Sequence, residues 1–314
     1  MLKTHPPVCE TKDAIWLDLL NASEPEIVEI EAATGIDLPN REELSAIEQS
    51  SRLDFTDGVL RMASPVVAQS DTDHPQLSQI GLILTKDRLI SIRYDALSVF
   101  DALSGKIDVT RGGDSSTGLF ATLMESIVAR LADLLEGASA HLDQISHRVF
   151  RPSRTDPKQA MRSTGVMREK LQVLGRIGER TSMIRETLLA IDRMISFALE
   201  AAKDWFDPPL AHRLETARKD VDSLNLFEEH LLGKVQFLLD AVLGFINIEQ
   251  NDIFKVLTIA SVVGIFPTLV AGWYGMNFHN MPEYDWAYGY QFGIGAIIAA
   301  TILPLIWFKW KGWM

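Results

Sequence analysis

Residues 256–282, VLTIASVVGIFPTLVAGWYGMNFHNMP, carry no Lys, Arg, Asp or Glu between Lys255 and Glu283, a run of 27. A second uncharged run of 23 residues, WAYGYQFGIGAIIAATILPLIWF at 286–308, follows between Asp285 and Lys309. About 20 apolar residues cross roughly 30 Å of hydrocarbon as a helix, and both runs reach that length. A pair of buried core helices is the alternative, although helices of globular proteins average only ~10–14 residues. Five of seven Trp (Trp273, Trp286, Trp307, Trp310, Trp313) and four of five Tyr (Tyr274, Tyr284, Tyr288, Tyr290) lie in the last 64 residues. They gather near the ends of the runs, where amphipathic rings settle at a membrane–water boundary. The expected layout is a first span at about 253–273, an outer loop at 274–288, a second span at 289–308 and a basic tail at 309–314. With Lys255 before the first span and Lys309 and Lys311 after the second, the positive-inside rule predicts that both termini are cytoplasmic.

Outward from this tail the character changes. The last 64 residues hold three acids and three bases, so the first 250, with 27 bases and 39 acids, carry the whole formal charge of -12. An acidic body of this kind lacks the basic footprint of a nucleic-acid binder, and no nucleic-acid partner is expected. Cys9 is the only cysteine among 314 residues, which excludes a disulfide framework and a Cys-based zinc site. The opening MLKTHPPVCE has no apolar core, so no cleavable signal peptide is expected. There is no Gly-rich phosphate loop, HExxH or nucleophile motif; the chain does not read as an enzyme, and no organic cofactor is expected.

Residues 1–115 read as an α/β domain with a mixed or antiparallel sheet. AIWLDLL (14–20) is strand-like and precedes an acidic helix around EPEIVEIEAATG. GVLRMA, LSQIGLILT and DRLISIRY follow, the last two joined by a short Lys86-Asp87 turn that predicts a hairpin. Residues 116–206 lose the strand signal and show helical spacing, as in LFATLMESIVARLADLLEGA. RPSRTDP (151–157) predicts a break between two long helices, and DPPLAH (207–212) the next. From Pro209 no proline occurs until Pro267, leaving 57 residues of mostly good helix formers. One helix over 210–273 would therefore serve as both stalk and first span, roughly 85 Å long before Pro267; two helices jointed near Gly244 are the alternative.

The polar side chains of the first span are not scattered. Asn251, Phe254, Thr258, Ser261, Ile265, Thr268 and Gly272 step by three and four alternately, one heptad seam on one helix face. Such a face meets protein or water rather than lipid, so helix packing and pore lining are both compatible with it. A pore would need several copies around an axis, because each chain supplies only two spans.

At the outer end of this seam stand Tyr274-Gly275-Met276-Asn277, then Phe278 and the Met281-Pro282-Glu283 run. Here the sequence resembles the CorA family of divalent-cation channels, whose signature is YGMN between two C-terminal spans. The resemblance takes in Asp240, Gly244 to Asn251, Pro267-Thr268-Leu269 and the Trp-containing basic end, and is looser upstream, where AIWLDL matches best. It implies an α+β membrane protein: an N-terminal cytoplasmic α/β domain, a long helical stalk and two C-terminal transmembrane helices, in the inner membrane. It also implies a homopentamer passing hydrated divalent cations, Mg²⁺ with Co²⁺ and Ni²⁺ as further cargo. Gly275, Met276 and Asn277 would form the selectivity filter, with Asn277 giving a ring of amide oxygens. Asn251 matches a pore asparagine, Phe254, Leu257 and Ile265 an apolar constriction, Thr268 a hydroxyl ring, and Asp240 an acidic ring in the funnel.

Neutral amides suit a hydrated ion. Mg²⁺ holds octahedral water at roughly 2.0–2.1 Å and gives it up reluctantly, and amide oxygens accept hydrogen bonds from that water without stripping it. The family is also regulated by intracellular Mg²⁺ bridging carboxylates between subunits; Asp220 and Asp222 are the candidate regulatory ligands here. A zinc transporter resembling ZntB is the alternative within the superfamily, although Met276 in the tripeptide favours the Mg²⁺ branch. A membrane-anchored sensor is the alternative outside it, but a tether needs no polar face.

Overall fold

The computed structural model describes residues 2–5, 12–44, 52–69, 72, 75–107, 115–150, 163–276 and 281–313. The RPSRTDP break and, within the tripeptide, Asn277 lie outside the described residues. Two units are distinguished: Met1–Arg154 with Glu169–Leu239, and Thr155–Arg168 with Asp240–Met314.

The first unit is built on a six-stranded sheet of β1 (Leu2–His5), β2 (Trp16–Leu20), β3 (Leu53–Thr56), β4 (Val59–Ala68), β5 (Gln76–Leu84) and β6 (Leu89–Arg93). The spatial order is β1-β2-β6-β5-β4-β3. Only β2 and β6 run parallel, Trp16 opposite Leu89; every other pairing is antiparallel, so the sheet is mixed. The expected hairpin closes at Lys86-Asp87, where the Thr85 amide donates to the Arg88 carbonyl at 2.9 Å. A second hairpin, β3–β4, turns on Asp57 (φ 54°) and Gly58 (φ 75°), the left-handed pair that a two-residue hairpin turn requires.

Helices α1 (Glu24–Thr34) and α2 (Arg41–Leu44) cover one face of the sheet. Helix α1 starts where the Ser23 amide donates to the Glu26 carboxylate at 2.9 Å and stops at Gly35, φ 70°. Ile30 and Leu44 bury there against Leu17, Leu19, Ile83, Ile90 and Ile92. The alternate positions of β2 and β6 point the other way and include the polar Asp18, Ser91 and Arg93. Arg93 donates to both oxygens of Asp18, from Nε at 3.0 Å and Nη2 at 2.7 Å, and both side chains are buried. Ser91 Oγ donates to Asp18 at 2.8 Å and Trp16 Nε1 to Ser91 at 3.0 Å. The Arg93 guanidinium lies 4.9 Å above the ring of Phe100, in α3 (Ser98–Ile107).

Helices α4 (Ser116–Phe150) and α5 (Ser163–Ala201) follow. Ser116 Oγ lies 2.8 Å from the Thr85 and Lys86 carbonyl oxygens and fixes the start of α4 to the β5–β6 turn. A short 3-10 turn then leads to α6, Pro208–Tyr274, one unbroken helix of 67 residues that belongs to both units. Asp207 caps it, accepting the Leu210 amide at 3.0 Å, with Pro208 in the first helical position where a missing N–H costs nothing. The helix has no joint at Gly244 and continues through Pro267. Within the first unit, Leu214, Ala217, Val221, Leu231, Val235 and Leu238 form its buried face. Bidentate Arg213–Glu125 (2.9 and 2.7 Å) and Lys234–Asp143 (2.7 Å) tie it to α4, and Arg218–Asp192 (3.0 Å) ties it to α5.

In the second unit, α6 runs to Tyr274, a 3-10 turn spans Pro282–Asp285, and α7 runs from Gly289 to Trp310, so Lys309 lies in its last turn. The most apolar window of α6 is 0% buried and that of α7 6% buried. A buried core pair would be covered by protein. These helices present their apolar surface outward, which suits lipid.

Candidate functional site

The seam residues take their places because α6 is helical without interruption across them. Phe254, Leu257 and Ile265 are each more than half exposed, and Asn251, Thr258, Ser261, Thr268 and Gly272 are exposed as well. Leu257, three residues on from Phe254, stands at the edge of the stripe rather than on its line. Thr258 Oγ1 donates to the Phe254 carbonyl at 2.8 Å and Thr268 Oγ1 to that of Gly264 at 2.7 Å. Each hydroxyl proton is thus spent inside the helix, and the oxygen offers lone pairs outward. The face accepts hydrogen bonds without carrying charge. Ile265, Thr268, Gly272 and Met276 are brought together along one groove of about 500 Å³, with Gly264, Leu269 and Trp273 completing its lining.

The groove ends at the tripeptide. The Gly275 amide donates to the Ala271 carbonyl at 2.9 Å and the Met276 amide to that of Trp273 at 3.3 Å, so the last turn of α6 tightens into the loop. A Cβ at Gly275 would stand 3.2 Å from the Ala271 carbonyl oxygen, a backbone atom with little room to yield. The return is tight too. A Cβ at Gly289 would overlap the Glu283 carbonyl oxygen, so the start of α7 also requires glycine. Trp286 meets Phe292 edge to face at 5.9 Å and fastens this turn to α7. Gly289 was not among the expected site residues; only its place just after an aromatic-rich loop hinted at a close approach.

The acidic candidates lie on α6 and are not assembled within one chain. Asp240 is exposed. Asp220 and Asp222 are both exposed, but two residues apart on a helix they face different directions. Asp220 lines a groove of about 470 Å³ with Glu125, His212, Arg213, Thr216 and Ser223, and Glu125 is occupied by its bidentate bond to Arg213. Among the described residues no three His, Cys, Asp or Glu side chains form a metal-holding group.

One carboxylate escaped the sequence reading. Glu228 is fully buried on the inner face of α6, and neither of its oxygens has a hydrogen-bond partner. Its ion pair is Arg185 of α5 at 3.5 Å. Burial pushes its carboxyl above the ordinary glutamate range, opposed by Arg185 and assisted by Glu229. The available signal was periodicity, since Glu228 continues the apolar series of Leu214, Ala217 and Val221 into Leu231 and Val235.

The family model described as "CorA-like Mg2+ transporter protein" matches residues 11–310. The chain belongs to the CorA-like Mg²⁺ transporter family. Among its relatives, the magnesium transport protein CorA of Haemophilus ducreyi is 31% identical over 309 residues, covering 97% of this chain and 93% of that one. The magnesium transport protein CorA of Escherichia coli is 31% identical over 306 residues, covering 96% and 92%. The fold resembles the complete CorA magnesium transporter from Methanocaldococcus jannaschii with a TM-score of 0.76 at 16% identity, covering 100% of this chain and 98% of that one. The cytoplasmic domain of ZntB from Vibrio parahaemolyticus is more distant, with a TM-score of 0.53 at 13% identity over 74% of this chain. CorA membership accords with the fold class expected from the sequence: an α/β domain, a long helix and two apolar C-terminal helices.

Proposed function

We propose that this CorA-family chain is one subunit of a homopentameric channel for Mg²⁺ uptake across the inner membrane. Co²⁺ and Ni²⁺ share the path, and intracellular Mg²⁺ closes it. The observation that carries this reading is the exposed, uncharged stripe of α6 leading through Ile265, Thr268 and Gly272 to Met276. Five such stripes around an axis form a passage whose walls accept hydrogen bonds from an ion's water shell and offer no carboxylate to hold the ion. Phe254, Leu257 and Ile265 supply an apolar neck that conducts when wetted and blocks when dry. Asn277 supplies the amide ring at the outer mouth, and Glu283 and Asp285 raise the local cation concentration beside it. Both termini face the cytoplasm in this arrangement. Flux into liposomes holding the purified full-length protein, with Mg²⁺, Co²⁺, Ni²⁺ and Zn²⁺ compared, tests it. Mg²⁺ entry that is abolished in Asn277→Ala is expected. Zn²⁺ entry without Mg²⁺ entry would overturn the reading in favour of a ZntB-like transporter.

A further inference from the structure

The second unit holds another groove, between α6 and the end of α7, of about 690 Å³. Val262 and Phe266 form one wall, and Leu303, Pro304, Ile306 and Trp307 the other. This groove is almost wholly apolar and runs along α7 past Phe308 to Trp310. Its end is different. The Lys311 ammonium lies 5.4 Å above the ring of Trp307, so a cation is held against a side chain that lines the groove. Lys309, between the lining residues Phe308 and Trp310 in the last turn of α7, is exposed.

This end of the chain is built rather than frayed. Gly312 takes φ 73°, the Trp313 amide donates to the Phe308 carbonyl at 3.0 Å, and the Trp313 ring stacks on Phe308 at 5.4 Å. That turn sets the direction of Lys311. On α6, Lys255 is paired with Asp252 at 2.8 Å, and no acid follows Asp285 in the sequence. Lys309 in the last turn of α7 and Lys311 just beyond it therefore leave a net positive charge at this end of the chain.

We propose that this groove binds an anionic phospholipid, one acyl chain lying along Leu303, Ile306 and Trp307 and the phosphate at Lys309 and Lys311. A second copy of the chain would fill the groove with its own apolar spans, an occupant that crosslinking through Leu303→Cys separates from lipid. Phospholipid answers both halves of the site. The inference needs only that the two helices lie in a bilayer, and it is independent of which ion is carried.

Native mass spectrometry of the full-length protein in detergent, loaded with phosphatidylglycerol or phosphatidylcholine, tests it by counting lipids retained per protomer. Phosphatidylglycerol should be retained in preference, and Lys309→Gln and Lys311→Gln should each cut that preference roughly fivefold. Leu303→Trp, which fills the groove, should remove retention with the assembly mass unchanged. If that variant fails to assemble, Leu303→Ser should weaken retention instead. Equal retention of both lipids, or full phosphatidylglycerol retention in the Leu303 variants, overturns the site. So does an intersubunit disulfide formed by Leu303→Cys in a Cys9→Ser background, because the groove would then be covered by another copy. None of these readouts is ion flux, so failure here is distinct from failure of the channel reading.

Discussion

At the scale of single residues, the consequential positions are those whose surroundings leave no room for a substitute. Asp18 and Arg93 neutralise each other inside the sheet, with Ser91 and Trp16 filling the remaining hydrogen-bonding positions. Asp18→Ala leaves the buried Arg93 guanidinium only a 3.5 Å ion pair with the exposed Asp101 and should cost about 3–5 kcal/mol, measured by chemical denaturation of the full chain in detergent. Asp18→Asn keeps the shape and should cost less. Gly275 is constrained differently: a Cβ there would stand 3.2 Å from the Ala271 carbonyl oxygen, so Gly275→Ala should shift the end of α6 by a few tenths of an ångström. It should lower Mg²⁺ flux while the body still unfolds like the wild type, whereas a parallel loss of stability would mean that Gly275 serves the fold alone. Asn277→Asp should impair conduction more than its small change in shape suggests. A ring of carboxylates repels itself when empty and binds a divalent ion too firmly to release it.

At the scale of elements, α6 unites the fold and the site, and Glu228 is its unsettled point. Burial raises the Glu228 carboxyl in the folded chain, so the folded state binds that proton more tightly than the unfolded state. Its contribution is fully present below the ordinary glutamate range and is lost as pH rises through the raised folded value. Glu228→Met should flatten that slope and raise stability at neutral pH by about 1–3 kcal/mol; melts at about pH 5 and pH 8 compare the two chains. An unchanged pH slope would show that the slope belongs to other carboxylates.

The same helix shows how far the sequence could be read. Its continuity was legible because no breaker intervenes between Pro209 and Pro267, and its stripe because three–four spacing survives across the span. Glu228 was not, since a glutamate amid a helix ordinarily faces water. In the sheet, AIWLDL and the Lys86-Asp87 turn announced β2 and the β5–β6 hairpin. The four-residue strands β1 and β3 carry too few residues to show a period, although Asp57-Gly58 was an available turn signal. The parallel pairing of β2 with β6 joins segments about 70 residues apart, and such partnerships are set by tertiary contacts rather than local pattern.

At the scale of the whole molecule, charge and the shared helix meet. Each chain carries a formal charge of -12, all of it in the first 250 residues. In a pentamer these bodies repel unless cations lie between them. Ions that bind only the closed assembly stabilise it in proportion to their concentration. Millimolar Mg²⁺ should thus hold a compact closed ring, and its removal should let α6 carry the loosening to Phe254, Leu257 and Ile265. Asp220 and Asp222 point away from one another on α6, so one ion within a chain does not draw on both; in the proposed pentamer a bridging ion would reach either of them from a neighbouring subunit. Replacing both with Asn tests this through the sign of the shift. If either is a ligand, closing requires more Mg²⁺ than in the wild type, and flux persists at concentrations that normally stop it. If both only add repulsion, removing two charges per subunit stabilises the closed ring, and the channel closes at lower Mg²⁺. Mg²⁺ inhibition of liposome flux, titrated from the cytoplasmic side, separates the two. An unchanged midpoint would clear this segment of both roles and leave the regulatory carboxylates to be sought on the α/β domain.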